Sequence, residues 1–151
     1  MDKFGDWNDE DPTKPETLKA RTLQPNPGWK WLRPGSCQGR IMGGCLPSLL
    51  QLAGTKYFPD FTGKILLLET PEGESPNKPM PIELLRSLLA DLTNLGVWGK
   101  VRGVVLGRCF GYEGEELRSF EEMVVDFCEM GERGWNFRCG VVWMLDIRSR
   151  W

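Results

Sequence analysis

Three short apolar runs, set about 40 residues apart with an amphipathic period in each gap, limit what this chain can fold into. The first, "KILLLE" (Lys64 to Glu69), follows the turn residues Thr62 and Gly63 and is apolar without a break from Ile65 to Leu68. A continuous run of that length suits a strand buried on both faces. "VRGVVLG" (Val101 to Gly107) and "VVWMLDI" (Val141 to Ile147) read as two further strands. Between the first two, "PIELLRSLLADLTNLG" repeats Ile82, Leu85, Leu88, Leu89, Leu92 and Leu95 at helical spacing, with Pro81 at its start and Gly96 past its end. A second helix is expected from Glu115 to about Glu129, with Leu117, Phe120, Val124, Phe127 and Cys128 inward. Strand, helix, strand, helix, strand is the rhythm of right-handed crossovers between parallel strands. The expected fold is therefore α/β, a small, mainly parallel sheet with crossover helices. A short helix from about Leu46 to Ala53, closed by Gly54, precedes the first strand.

The stretch before these elements is different. Residues 1–36 are rich in Asp, Glu, Pro and Trp without an apolar period, and read as a linker or extended arm. Trp29 and Trp31 are the exception, because two indoles on one face of an extended segment need a surface to cover. Packing onto the domain at 37–151 is the simplest use for them. The 151 residues include 19 basic and 21 acidic side chains, a formal net charge of -2. No long-range field marks a nucleic-acid or membrane-surface binder. No stretch approaches the ~20 apolar residues of a membrane span, and Met1 is followed by Asp2, Lys3 and Asp6 where a secretory signal would be apolar. A cytoplasmic location is expected. The five cysteines include no C-x-x-C pair, so they read as reduced thiols and not as a metal or redox site.

Ligands of open parallel sheets bind outside the carboxyl ends of the strands. That rule selects Glu69, Arg108 and the stretch Asp146 to Arg148. Glu69 stands out, since a carboxylate directly after four apolar residues calls for a compensating partner. Capping the "TPEGE" loop or pairing with an arginine would satisfy it as well as a catalytic role would. For Arg108 a structural ion pair is the simpler use. The glycines of "GRCFGYEG" match neither common phosphate-loop spacing. Glu113, Glu115, Glu116, Glu121 and Glu122 fall at a helix start and on its expected outer face, where dipole and solvent favour carboxylates. The chain contains no histidine, the usual general base beside a serine nucleophile.

At "GRIMGGCLPSLLQLAGTKYFPDFTGKILLLET", and again through "LLADLTNLGVWGKVRGVVLGRCFGY", the sequence resembles the C-terminal domain of LD-carboxypeptidases and microcin C self-immunity peptidases. The likeness is close from Arg40 to Tyr112 and weak from Glu113 to Ile147. It implies a serine-type carboxypeptidase without metal or cofactor, in which an N-terminal α/β domain carries the serine and the C-terminal domain a glutamate and a histidine. The glutamate role falls on Glu69, which would accept a hydrogen bond from the imidazole and stabilise its cation. Gly44 and Cys45 fall at substrate-binding positions. The implied reaction is hydrolysis of an amide next to a free carboxylate, as in peptidoglycan peptides or peptidyl-nucleotide conjugates.

Three departures from the family pattern matter. No Gly-x-Ser turn precedes the match, so the serine-bearing domain is an expected partner. Gly43, Gly44 and Cys45 stand where the family commonly has Gly-Gly-Asn, which removes an amide side chain. The histidine position falls near Ser149, in "RSRW". The chain is therefore expected to be the triad-supporting half of such an enzyme, incomplete at its C-terminal end and inactive alone. The strand at Val141 to Ile147 would then be an unpaired edge beside Trp143, Met144 and Trp151, and stability marginal. A non-catalytic binding or dimerisation module, pairing with a second copy, is the alternative.

Overall fold

A computed structural model describes residues 29–74, 78–132 and 142–145, with backbone alone for residues 29, 108, 109, 131, 132 and 142–145. Its elements follow as β1 (Trp29–Arg33), β2 (Ile41–Cys45), α1 (Leu46–Leu50), β3 (Ile65–Thr70), α2 (Ile82–Asn94), β4 (Gly103–Cys109), α3 (Gly114–Glu132) and β5 (Val142–Leu145). They form one sheet in the order β1-β5-β4-β3-β2. The pairs β2–β3, β3–β4 and β4–β5 are parallel, and each strand reaches its neighbour through a helix. The α/β class and the mainly parallel sheet are as the sequence indicates.

Local chemistry explains the element ends. In α2, Leu85, Leu89 and Leu92 are buried on one stripe. At its end the Val97 amide donates to the Leu92 carbonyl (3.0 Å) and the Gly96 amide to the Thr93 carbonyl (2.9 Å). Gly96 has φ of 66°, which completes the Schellman stop expected of that glycine. The turn into β3 is closed by Asp60, whose Oδ1 accepts from the Thr62 hydroxyl (2.7 Å) and amide (3.0 Å). The hydroxyl bond, then the amide bond, hold the Asp60 carboxyl below its ordinary range. The support it gives the turn is thus present above that range and lost as pH falls through the lowered value.

The helices share one face of the sheet. α2 packs between α1 and α3, and α1 also meets β2 and β3. Along β3, Leu66, Leu68 and Thr70 are buried, whereas Ile65 and Leu67 are half-buried and Glu69 is exposed. Burial of this strand on both faces, expected from the unbroken apolar run, is therefore corrected. Among the described residues every helix lies on the Leu66 side, and the opposite face carries Ile65 and Leu67 in register with Ile41 and Val105. An apolar run alone cannot reveal this, because it fills both faces equally.

Two strands were not expected. β2, "IMGGC", has two glycines in place of strand-forming side chains. β1 lies in the segment read as an arm, and runs antiparallel along β5 with Trp31 opposite Trp143 and Lys30 opposite Met144. The expected unpaired edge at β5 is thus covered by β1. The expected packing of Trp29 and Trp31 onto the domain takes the form of strand pairing, and Trp31 keeps 39% of its surface exposed.

β1 and β2 occupy opposite edges of the sheet, so residues 34–40 must cross beneath the amino ends of the parallel strands. The Gln38 carbonyl accepts from Arg102 Nη1 (3.2 Å), and the Arg40 carbonyl from the Ile65 amide (2.9 Å). At Gly39 a Cβ would stand 2.7 Å from the Gly63 carbonyl oxygen, so only glycine fits there. Lys30, on the helix side, ties β1 to α3 through both carboxylate oxygens of Glu121 (2.6 and 2.8 Å).

Two outcomes are expected. Lys30→Ala strands the largely buried Glu121 carboxylate and should cost about 1–2 kcal/mol in urea unfolding, less than a fully buried pair because Lys30 is partly hydrated. Lys30→Met with Glu121→Leu should recover most of it; an equal loss in both would show that the ion pair is immaterial. Cys45 is the N-cap of α1 and makes no side-chain capping bond. Cys45→Asn, whose side-chain oxygen can accept from the Ser48 amide since Pro47 has none to donate, should raise stability by about 0.5–1 kcal/mol; an unchanged melting midpoint would show that water already serves that amide.

Candidate functional site

The carboxyl ends of β2, β3 and β4 come together around Glu69. In register it neighbours Cys45, the last residue of β2. On its other side the pairing shifts: Leu68 is opposite Leu106, but Thr70 is opposite Cys109. β4 therefore carries one extra residue here, a bulge of the kind that re-aims side chains. The Glu69 side chain lies against Gly107, with Cγ 2.6 Å and Oε1 3.1 Å from the place a Cβ on residue 107 would take.

Glu69 is exposed at the edge of the face that the helices leave uncovered. Among the described residues its carboxylate has no hydrogen-bond or ion-pair partner. The expected compensating partner is not found there, because hydration reaches the carboxylate once one face of β3 is open. The "TPEGE" loop closes without it: the Gly73 amide donates to the Lys78 carbonyl (2.7 Å), and Glu72 bridges to Pro79. An exposed carboxylate on a strand end, free of structural bonds among the described residues, can still accept one.

Gly43 and Gly44 have φ of 143° and 142°, a region that favours glycine. A Cβ on Gly43 would sit 2.0 Å from the Leu67 carbonyl oxygen, whereas one on Gly44 would meet nothing within 4 Å. Gly44 thus borders open space and is glycine for its backbone angle alone. Cys45 is a half-buried free thiol beside it. Gly44 and Cys45, selected by the family resemblance, and Glu69, selected also by the strand-end rule, lie on adjacent strand ends.

The remaining candidates divide. The Arg108 side chain, Asp146 to Arg148 and Ser149 lie outside the described residues. Glu121 is buried and paired with Lys30, which corrects its expected place on the outer face of α3; Glu113, Glu115, Glu116 and Glu122 are exposed. The "GRCFGYEG" loop packs the fold together: Tyr112 stacks on Phe120 at 5.3 Å and donates its hydroxyl to the Met80 carbonyl, while Gly111 abuts Pro79. Among the described residues no three potential metal ligands gather, and no helix is long and apolar enough to cross a membrane. Sequence reading missed Gly107 and the buried Thr70 hydroxyl, which has no partner among the described residues. A glycine late in an apolar strand run signals close approach by a neighbour, but not by which one.

Comparison with known proteins places this geometry. The family model of the LD-carboxypeptidase C-terminal domain matches residues 38–141. A Vibrio cholerae protein named as a carboxypeptidase is 31% identical over 90 residues, 59% of this chain and 25% of that protein. An MccF-like protein from Bacillus anthracis shares the fold with a TM-score of 0.67 at 21% identity, over 92% of this chain and 39% of its own. The microcin C7 self immunity protein MccF, solved with aspartyl sulfamoyl adenosine, superposes with a TM-score of 0.64 at 20% identity, over 92% and 38%. A muramoyltetrapeptide carboxypeptidase from Oxalobacter formigenes gives 0.50 at 25% identity, over 72% and 35%. The chain thus spans a quarter of the curated relative and under two-fifths of these solved structures. Since the family model covers well over half of the chain, including the strand that ends beside Glu69, the chain belongs to the LD-carboxypeptidase family and corresponds to its C-terminal domain.

Proposed function

We propose that this chain is the triad-supporting part of a serine-type carboxypeptidase, supplying the Glu69 carboxylate for hydrolysis of an amide beside a free carboxylate. The observation that carries the reading is the position of Glu69, exposed at the carboxyl end of β3 in a domain of this family. There the carboxylate would accept the N–H of an imidazole, fix its tautomer and stabilise the cation formed as that imidazole takes the serine proton. The imidazole would come from outside these 151 residues, since the sequence has no histidine, and the nucleophilic serine from the serine-bearing domain. The serine-bearing domain is the partner, and the side chains of the open face, Trp31, Ile41 and Leu67 among them, offer it apolar surface. The names of the similar structures, a self-immunity protein bound to an aspartyl nucleoside analogue and a muramoyltetrapeptide carboxypeptidase, support a peptide or peptidyl conjugate as substrate. Gly44 and Cys45 border the same opening, so the substrate would pass the Cys45 thiol where relatives commonly present an amide. The reaction needs no metal or cofactor, and the enzyme would act in the cytoplasm.

The isolated chain should release no terminal amino acid from LD-linked or ordinary peptides, because it has no ready base near neutral pH for a serine hydroxyl. In a chimera, a relative's serine domain and histidine-bearing end are joined to residues 38–141. Glu69→Gln in that chimera should fold normally and lose turnover on the order of 10⁴-fold, the cost of the analogous Asp-to-Asn change in a serine protease. Near-normal turnover of the variant would reject the assignment of Glu69.

A further inference from the structure

The seat of Glu69 is made by a residue with no side chain. A Cβ at position 107 would stand 2.6 Å from Glu69 Cγ, 3.3 Å from Cδ and 3.1 Å from Oε1. The first distance is decisive, because Cγ is not the free end of a flexible chain. Its place follows from the strand backbone and the first torsion alone. Side-chain torsions occupy separate staggered wells. Relief therefore requires a change of well, and that swings the whole carboxylate away from β4. The backbone of Gly107 itself is outside the left-handed region, so it does not require glycine for its own conformation. The need for glycine comes from its neighbour.

We infer that Gly107 is the positioning residue for Glu69: lacking a side chain, it makes the seat that holds the carboxylate across β4, turned to the β5 side of the sheet and away from Cys45. The strand order gives the direction, since β4 separates β3 from β5 while β2 lies on the far side. Because Leu68 pairs with Leu106, Gly107 follows beside Glu69, and the extra residue of β4 is taken up before Thr70 pairs with Cys109. A donor to this carboxylate then approaches over β4 and β5. The positioning role in catalysis rests on the function proposed above; the seat itself does not.

The seat can be tested on the 151-residue chain without activity. Nuclear Overhauser contacts between the Glu69 γ-methylene and the Gly107 α-protons are expected in the wild type, and should vanish in Gly107→Ala with altered Glu69 side-chain shifts. Absence of those contacts in the wild type, or unchanged Glu69 signals in the variant, would overturn the inference. A stability cycle covers the case where Gly107→Ala folds poorly: the same substitution in a Glu69→Ala background, which removes Cγ, should be harmless or mildly stabilising. Equal losses in both backgrounds would reject the pairing. In the chimera, Gly107→Ala should lower kcat at least 10-fold with KM changed less than about twofold. Normal turnover of Glu69→Gln would sink the function on which the catalytic role rests. Loss of turnover in Glu69→Gln with full turnover in Gly107→Ala would sink the positioning role alone.

Discussion

One-sided burial of the parallel sheet is the constraint on which the rest of this molecule depends. Leu66 and Leu68 of β3 and Val104 and Leu106 of β4 are buried with Leu85, Leu89 and Leu92 of α2 and with Phe120, Val124 and Phe127 of α3. Fully burying each such side chain is worth about 1.5–3 kcal/mol. The helices and the sheet cannot separate without losing several of these at once. Because side chains alternate along a strand, the same packing sends Ile65, Leu67 and Glu69 to the other face. The candidate carboxylate is exposed because its neighbours in sequence are buried.

The second consequence concerns the edges. Parallel strands in the order β2-β3-β4-β5 would leave β5 open on one side. β1 closes it from the amino-terminal side of the chain, fixed by its ladder to β5, by the Lys30 to Glu121 pair and by the crossing at 34–40. The edges among the described residues are then β1 and, on the far side, β2, whose glycines at 43 and 44 carry no side chain. The site thus borders the glycine-bearing edge strand β2, where a positive φ and open space combine at Gly44.

Glu69 illustrates how a strand end becomes a site. The β3–β4 ladder holds its backbone, the bulge offsets its neighbour, and Gly107 leaves room for its side chain. Each of these acts through the main chain or through a missing side chain, so none needs a polar partner. A carboxylate held by shape keeps its acceptor positions free for an incoming donor, the requirement for orienting an imidazole.

The sequence by itself determined the α/β class, the three apolar strands and both long helices, and the strand-end rule singled out Glu69 as a candidate; Gly44 and Cys45 became candidates only through the family resemblance. Helical and strand periods are local, and so is the helix stop at Gly96. The matching stretch from Arg40 to Tyr112 was also sufficient to indicate the family. Which face of β3 is covered was decided only in three dimensions, because an unbroken apolar run has no preferred side. β1 and β2 were equally illegible as strands: "WKWLR" alternates but sits in a proline-rich stretch, "IMGGC" has two glycines, and each becomes a strand only through its ladder to β5 or β3. Glu121 and Gly107 make the same point at single residues. One is buried because Lys30 arrives from β1, and the other must be glycine because Glu69 leans over it. Both reasons lie between strands and helices far apart in the chain, where only tertiary structure brings the partners together.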